Sequence, residues 1–164
     1  MSENPDVSAA LNVANQIMSA AGCASIITLD EFGLPSSRPV RTLLSDENFS
    51  RITIPTDSNS RKTRHVRNNP NIVLSYVDTP SRGYVTMIGK AMLVDSQEEK
   101  RAAWLEPFTV FWPDGPESEE YLLIVFTPDR IEMRSYTQGV AESPTRWTPE
   151  ILLRTVDGGW QISD

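Results

Sequence analysis

The chain has 164 residues, a formal net charge of −7 and 39% hydrophobic residues. This length suffices for one domain with a hydrophobic core, and the hydrophobic fraction excludes a disordered chain. The negative charge argues against non-specific binding to nucleic acid, because that binding requires many cations. Because the only cysteine is Cys23 and the only histidine is His65, the sequence excludes an intrachain disulfide, a cysteine-rich zinc site and a multi-histidine metal centre.

No targeting or membrane segment is predicted. No apolar run approaches the roughly 20 residues that a membrane-spanning helix requires. Residues 1–8 are polar and acidic, whereas a secretory signal begins with basic residues followed by an apolar segment. We therefore expect a single domain over residues 1–164, located in the reducing cytoplasm.

The first predicted element is a helix that begins at Asn4-Pro5 and ends at Gly22, since Asn caps helices, Pro is favoured at their first position and Gly follows their last. A hairpin follows, with strands over residues 23–29 and 37–44 around a turn. A third strand over residues 51–55 and a fourth over residues 71–76 flank a polar segment.

Further strands are predicted in the second half. The longest covers residues 83–94, and its alternation of apolar residues changes at Gly89, which predicts a bulge. A capping box at Ser96 and Glu99 begins a helix that runs through Trp104. Strands over 121–126 and 130–134 and a final hairpin over 151–156 and 159–162 follow, and residues 143–147 are predicted as a loop. Many short strands with few helices indicate a small antiparallel barrel.

The polar segment over residues 56–67 carries the most distinctive pattern, because four of the fifteen basic residues fall within seven positions. Arg61 and Lys62 fall in the first turn of a predicted short helix, where unpaired N–H groups and the macrodipole favour an anion. The hydroxyls of Thr56 and Ser60 add further donors. The segment therefore predicts a cradle for one small phosphate group.

The alternative interpretation is a solvated face whose cations pair with surface carboxylates, as charge runs usually do. On a helix the four cations cannot all reach one anion. We therefore assign the anion to Arg61 and Lys62, and surface pairing to Arg64 and Arg67.

Other candidate residues are weaker. His65 is not favoured as a general base, because its cationic neighbours would lower its pKa and nothing nearby in the sequence would orient it. Cys23 is interpreted as a small core residue. Trp112 is the aromatic residue considered for stacking on a flat ligand, although aromatic side chains belong to the core by default. No residue is assigned as catalytic.

These patterns resemble the FMN-binding split-barrel family related to pyridoxamine 5'-phosphate oxidase, and in particular its general stress protein 26-like branch. The resemblance covers roughly residues 8–135. The motifs that carry it are Arg38-Pro39-Val40, Thr56, Ser60-Arg61-Lys62, Asn69-Pro70, Gly89-Lys90-Ala91, the helix over 98–104, Trp112-Pro113-Asp114-Gly115-Pro116 and Tyr121-Leu122-Leu123.

The resemblance implies a mainly β fold, a six-stranded antiparallel split barrel with a few short helices. It also implies a homodimer with FMN at the subunit interface. By position, Arg38, Pro39 and Val40 would line the flavin ring, Thr56, Ser60, Arg61 and Lys62 would hold the phosphate, and Trp112 would approach from the partner subunit. Residues 136–164 extend beyond the match and would close the barrel or cover the dimer.

Two departures bear on activity. The oxidase has an Arg-x-His pair near its carboxyl terminus and an aromatic pair after the Ile-Glu of a late strand; this chain has neither, and Met133-Arg134 follows Ile131-Glu132. The leading hypothesis is an FMN-dependent oxidoreductase with a small-molecule electron donor or acceptor. The alternative is a non-catalytic stress-response protein that stores or senses FMN. A deazaflavin or haem is a third option, and haem is disfavoured because His65 lies within the cradle.

Overall fold

The computed structural model describes residues 5–140 and 148–163, which form a curled antiparallel sheet with short helices. The helices are α1 (Pro5–Ala21), α2 (Arg61–Asn68) and α3 (Gln97–Ala102), with 3₁₀ turns at Glu106–Val110 and Gly115–Glu117. The strands are β1 (Ala24–Leu29), β2 (Pro35–Val40), β3 (Leu43–Leu44), β4 (Ile52–Asp57), β5 (Asn71–Asp78), β6 (Gly83–Val94), β7 (Tyr121–Arg134), β8 (Glu150–Arg154) and β9 (Trp160–Ile162).

All strand pairs of this sheet are antiparallel, and the main order is β2-β1-β5-β6-β7-β4-β3. The mainly antiparallel β architecture is therefore as predicted. Nine strands occur in the described residues rather than six, because the two-residue β3 and the hairpin of β8 and β9 add to the other six.

Strand β7 joins the two parts of the sheet. The prediction of two strands separated by a turn at residues 127–129 was wrong, since β7 is continuous from Tyr121 to Arg134. On one side it pairs with β6, and on the other it pairs first with β4 and then with β8. This change of partner along one strand lets the sheet curl instead of remaining flat.

The predicted bulge at Gly89 is confirmed. The register between β6 and β7 shifts between Ile88 and Gly89, where Pro128 lies opposite Gly89 and Asp129 is the extra residue. Proline cannot donate a ladder hydrogen bond, so a bulge is the position at which a central strand tolerates it. A Cβ atom on Gly89 would lie 2.2 Å from the Thr127 carbonyl oxygen and 2.7 Å from the Pro128 Cα atom.

Two apolar clusters stabilise the fold. In the larger one, α1 packs against β5 and β6, and side chains such as Ile26, Leu74 and Met87 are fully buried. The smaller one lies on the other face of β7, where residues from the 3₁₀ turn at Glu106–Val110 cover Tyr121 and Leu123. Both faces of the first half of β7 are therefore buried.

Several predicted boundaries change. The second strand ends at Val40 and resumes as β3, and α3 ends at Ala102 instead of Trp104. Cys23 is exposed, so its assignment to the core was wrong. Cys23 lies between Gly22, which follows α1 with a φ of 73°, and Ala24, the first residue of β1. It therefore lies outside the strand in which buried and partly buried residues alternate.

The carboxyl-terminal hairpin, which lies beyond the family resemblance, is tied to the rest of the sheet. Arg154 donates from Nη2 to the Phe49 carbonyl at 2.8 Å and from Nε to the Pro128 carbonyl at 3.0 Å. The Trp160 indole donates to the Asn48 carbonyl at 2.9 Å. These bonds fix the turn between β3 and β4, where the buried Phe49 has a φ of 53°. The loop predicted at residues 143–147 lies outside the described residues.

In the described part of the chain, no helix is long and apolar enough to cross a membrane, and no group of three or more potential metal-ligating side chains occurs.

We predict that Gly89→Ala lowers the free energy of unfolding by at least about 2 kcal/mol, because the new methyl group would overlap backbone atoms that cannot move independently. Urea denaturation followed by tryptophan fluorescence measures this loss. Gly159→Ala is the matched control, since its Cβ would meet only side-chain atoms, the nearest at 3.2 Å. Equal losses in the two variants would contradict the close approach at the bulge.

Candidate functional site

Helix α2 presents the predicted phosphate cradle between β4 and β5. Ser60 is its N-cap, and the Ser60 hydroxyl accepts a hydrogen bond from the Thr63 backbone N–H at 3.3 Å. Thr63, His65 and Val66 form the buried face of the helix. The opposite face directs Arg61, Arg64 and Arg67 to the surface.

The hydroxyl groups at the start of α2 bond to one another. Thr63 Oγ1 donates to the Asp57 carbonyl at 2.7 Å, so Ser60 Oγ must donate to Thr63 Oγ1 at 2.9 Å. Thr56 Oγ1 lies 3.4 Å from Ser60 Oγ and is buried. Ser60 therefore uses its proton within the cap, and the contact of Thr56 or Ser60 with a ligand stays a prediction.

The backbone at this helix end has free donors. The Thr63 N–H is capped by Ser60, and the Arg64 N–H bonds the Ser60 carbonyl at 3.2 Å. No hydrogen bond from the N–H of Arg61 or Lys62 occurs within the described residues. The backbone N–H groups of Arg61 and Lys62 are therefore available to an external acceptor, at the positive end of the helix macrodipole.

Arg38 of β2 joins the two cations of α2. Burial lowers the pKa of Arg38, and the charge of Arg61 lowers it further. Burial likewise lowers the pKa of the half-buried Lys62, as does the charge of Arg38, while Asp57 partly opposes the shift. Arg38, Arg61 and Lys62 are hereafter the cation cluster, in which Arg38 lies close enough to both Arg61 and Lys62 for repulsion to matter.

Carboxylates do not neutralise the cation cluster by ion pairs. The ion pairs within the described residues are Arg51–Glu99, Lys100–Asp95, Arg101–Glu117 and Arg130–Glu132. None of them includes Arg38, Lys62 or the arginines of α2. The alternative interpretation, in which these cations pair with surface carboxylates, is therefore not supported by the ion pairs of the described residues. The surface pairing assigned to Arg64 and Arg67 is likewise not observed there.

A short polar chain holds the Arg38 guanidinium. Arg38 Nη1 donates to Thr28 Oγ1 at 2.6 Å, and Thr28 Oγ1 lies 2.8 Å from His65 Nδ1. Thr28 is fully buried and His65 is 7% exposed. The other terminal nitrogen of Arg38, Nη2, is buried and has no hydrogen-bond partner among the described residues.

His65 is neutral in this arrangement. Burial lowers the pKa of His65, and the charge of Arg38 lowers it further, against the weaker opposing effect of Asp30. Thr28 Oγ1 accepts from Arg38 Nη1, and a Thr28 proton directed at His65 Nδ1 would place the ring proton on Nε2. The expectation that cations lower this pKa is borne out, although burial has the larger effect.

The remaining predicted residues lie in different surroundings. Pro39 is exposed on β2, the strand at the end of the main order, where a residue without a backbone N–H is tolerated. Val40 is buried in the larger apolar cluster. Trp112 is 8% exposed and packs on Tyr121 with ring centroids 4.8 Å apart. The structure therefore brings Arg38 to the cradle, while Trp112 belongs to the smaller apolar cluster of its own chain.

A phosphate fits the cation cluster chemically. It would accept from the partnerless Arg38 Nη2 and the free amides of α2, and its charge would offset the repulsion among three cations. The residues present thus match the phosphate end of FMN. A depression of about 450 Å³ elsewhere is lined by residues of β3, β4 and α3 and contains no member of the cation cluster.

Comparison with known families gives one match that covers most of the chain. The sequence model described as pyridoxamine 5'-phosphate oxidase matches residues 13–135. The chain belongs to the pyridoxamine 5'-phosphate oxidase family. This range closely follows the expected one of 8–135 and contains the whole cation cluster. No curated protein sequence matches the chain.

Solved structures similar to this family member are also diverse in sequence. A Clostridium acetobutylicum protein related to general stress protein 26 of B. subtilis has a TM-score of 0.69 at 18% identity, covering 77% of this chain and 88% of that chain. General stress protein 26 from Bacillus anthracis gives 0.65 at 21%, covering 76% and 92%. A pyridoxamine 5'-phosphate oxidase-related, FMN-binding protein from Nostoc punctiforme gives 0.67 at 15%, covering 99% and 98%. The predicted split-barrel fold of the pyridoxamine 5'-phosphate oxidase family is thereby confirmed.

Sequence reasoning missed Thr28. In β1 the buried positions alternate as Ala24, Ile26 and Thr28, so Thr28 is a polar residue in a row of buried apolar ones. Such a position calls for a hydrogen-bond partner. The partners themselves, on β2 and α2, could be found only from the fold.

Proposed function

We propose that the protein binds FMN and uses it as the redox cofactor of an oxidoreductase. The observation that carries this proposal is the cation cluster, which brings three cations and two free amides together without an ion-paired carboxylate in the described residues. Family membership adds support, and the Nostoc punctiforme structure is of an FMN-binding protein.

The charge distribution supports a small phosphate ester as the ligand. The protein carries a net charge of −7, so the cation cluster is a local positive site on a negative molecule. A long polyanion would meet repulsion from the surrounding carboxylates, whereas one phosphate group would not. In this proposal Arg61, Lys62 and Arg38 hold the phosphate, and β2 from Arg38 to Val40 lies along the flavin ring.

The proposal includes a homodimer with FMN at the interface. Val110 and Phe111, immediately before Trp112, are 82% and 71% exposed. Large apolar side chains at adjacent exposed positions favour a surface that a second copy covers. Trp112 of one subunit would then lie close to the flavin held by the other, as the family resemblance implies.

When bound, FMN would accept and donate the electron pair, and the protein would contribute position, polarity and access. The neutral His65 is buried and hydrogen-bonded through Nδ1 to Thr28, so we assign it no proton transfer to a substrate. The electron donor or acceptor is proposed to be a small molecule. The cytoplasm remains the predicted location.

The purified protein is expected to be yellow or to become yellow with FMN. Arg61→Ala combined with Lys62→Ala should raise the dissociation constant for FMN by about 100-fold, because hydrogen bonds to charged groups contribute about 1.5–3 kcal/mol each. Quenching of flavin fluorescence during titration measures the affinity.

The matched control is Arg64→Ala with Arg67→Ala, which removes the same charge from the exposed face of the same helix. This control should change the affinity by no more than about threefold, since exposed charges at a distance are screened. Equal losses in the two double variants would mean that general charge, not a phosphate site, attracts FMN. A protein that binds no FMN would refute the proposal.

A second candidate function is FMN storage or sensing without turnover. Two observations support this function: the chain lacks the Arg-x-His pair of the oxidase, and its only histidine, His65, is buried and hydrogen-bonded to Thr28. It shares the phosphate site with the leading proposal and differs in redox chemistry alone.

Anaerobic mixing with NADH or NADPH distinguishes the two functions. As an oxidoreductase, the FMN-loaded protein should lose its oxidised-flavin absorbance within seconds, because the protein would position the hydride donor against the flavin. The control is free FMN at the same concentration. A bleaching rate equal to that of free FMN with both donors would favour the storage or sensing function.

A further inference from the structure

We infer that Thr28 and His65 are positioning residues that hold the Arg38 guanidinium in the geometry that the phosphate of FMN requires. This inference rests on the proposed function, because it concerns how the same phosphate site is built. Neither residue belongs to the motifs that carry the family resemblance, and neither is assigned a contact with the ligand.

Arg38 lies on a strand at the end of the sheet. Its strand, β2, ends the main strand order and pairs with β1 alone among the described strands. A long side chain on such an edge would ordinarily sample many rotamers, and binding would have to order it. Here one hydrogen bond of 2.6 Å to Thr28 Oγ1 already fixes Nη1.

The register between β1 and β2 places Thr28 near Arg38. Arg38 pairs with Ile26, and Thr28 lies two residues further along β1 on the same buried face. The Thr28 hydroxyl is therefore placed by the rigid hairpin and not by a flexible loop. Because Nη1 is occupied by this bond, the buried Nη2 is the terminal nitrogen left for a ligand.

The proposal assigns the Thr28 proton to His65. A Thr28 hydroxyl that accepts from Arg38 Nη1 at 2.6 Å and donates to His65 Nδ1 at 2.8 Å gives each of these three groups a partner. His65 lies on the buried face of α2, the helix that carries Arg61 and Lys62.

The chain Arg38–Thr28–His65 thus connects β2, β1 and α2. It links the strand proposed to line the flavin ring to the helix proposed to hold the phosphate, so it sets the spacing between the two halves of the site. The charged groups that act on His65 are Arg38 from β2, Asp30 from the turn after β1, and Arg64 and Arg61 from α2. Three of these four are cations, which favours the neutral ring that accepts the Thr28 proton.

The test is a double-mutant cycle on FMN affinity. Thr28→Val removes the hydroxyl at nearly constant shape and should raise the dissociation constant about tenfold, because Arg38 loses its fixed orientation. Thr28→Ser retains the hydroxyl and should stay within about threefold of the wild type. In an Arg38→Ala background, Thr28→Val should cause no further loss.

The cycle separates a positioning role from a merely structural one. A structural role would weaken FMN binding equally whether or not Arg38 is present, and that result would overturn the inference. Unchanged affinity in Thr28→Val would overturn it as well. Circular dichroism and the urea midpoint establish that each variant is folded.

If Thr28→Val does not fold, two variants of His65 test the inference instead. His65→Leu removes the acceptor and should weaken FMN binding several-fold, while His65→Asn presents Oδ1 near the position of Nδ1 and should restore most of the affinity. Equal affinities in the two variants would overturn the inference. Failure of the proposed function is distinguishable, because it appears as loss of FMN binding in the wild-type protein itself.

Discussion

Repulsion of Arg38 by Arg61 and of Lys62 by Arg38 is the constraint that the site depends on. Bringing like charges together lowers stability, and burial of Arg38 and Lys62 adds to the cost, as the lowered pKa values of both side chains indicate. The packing of β1, β2 and α2 must supply the compensating free energy. Within the described residues no ion-paired carboxylate offsets this cluster, which is the observation behind the proposed phosphate site.

The sheet provides the rigidity that this arrangement requires. Strand β7 pairs with β6 over residues 123–134 and with β4 over residues 121–126, so the strand that leads into α2 is held by β7 on one side and by β3 on the other. The bulge at Gly89 curls the sheet at the point where Pro128 interrupts the ladder. The carboxyl-terminal hairpin then fixes the turn before β4 through Arg154 and Trp160.

Local sequence signals predicted much of this fold and part of the site. Periodicity and turn residues located α1, the β1–β2 hairpin and the bulge at Gly89, because each depends on residues close in sequence. The continuity of β7 was not predictable locally, since Pro128 reads as a strand break unless the opposing Gly89 is known. The exposure of Cys23 was missed for a similar reason: its strand does not begin pairing until Ala24.

The cation cluster shows the same limit. Arg61 and Lys62 could be assigned to an anion from their place in the first turn of a helix, whereas Arg38 was assigned to the flavin ring alone. The pairing of β1 with β2 brings Arg38 to the Thr28 hydroxyl, and the packing of α2 against β1 brings His65 there from 37 positions away in sequence. Pairing across such distances is decided by the whole sheet.

A crystal structure of the protein with FMN tests the central claim most directly. We expect the phosphate oxygens to lie within hydrogen-bonding distance of Arg38 Nη2, the Arg61 and Lys62 side chains and the backbone amides at the start of α2. A phosphate bound at another surface, with Arg38 Nη2 still lacking a partner, would contradict the assignment of this cluster as the phosphate site.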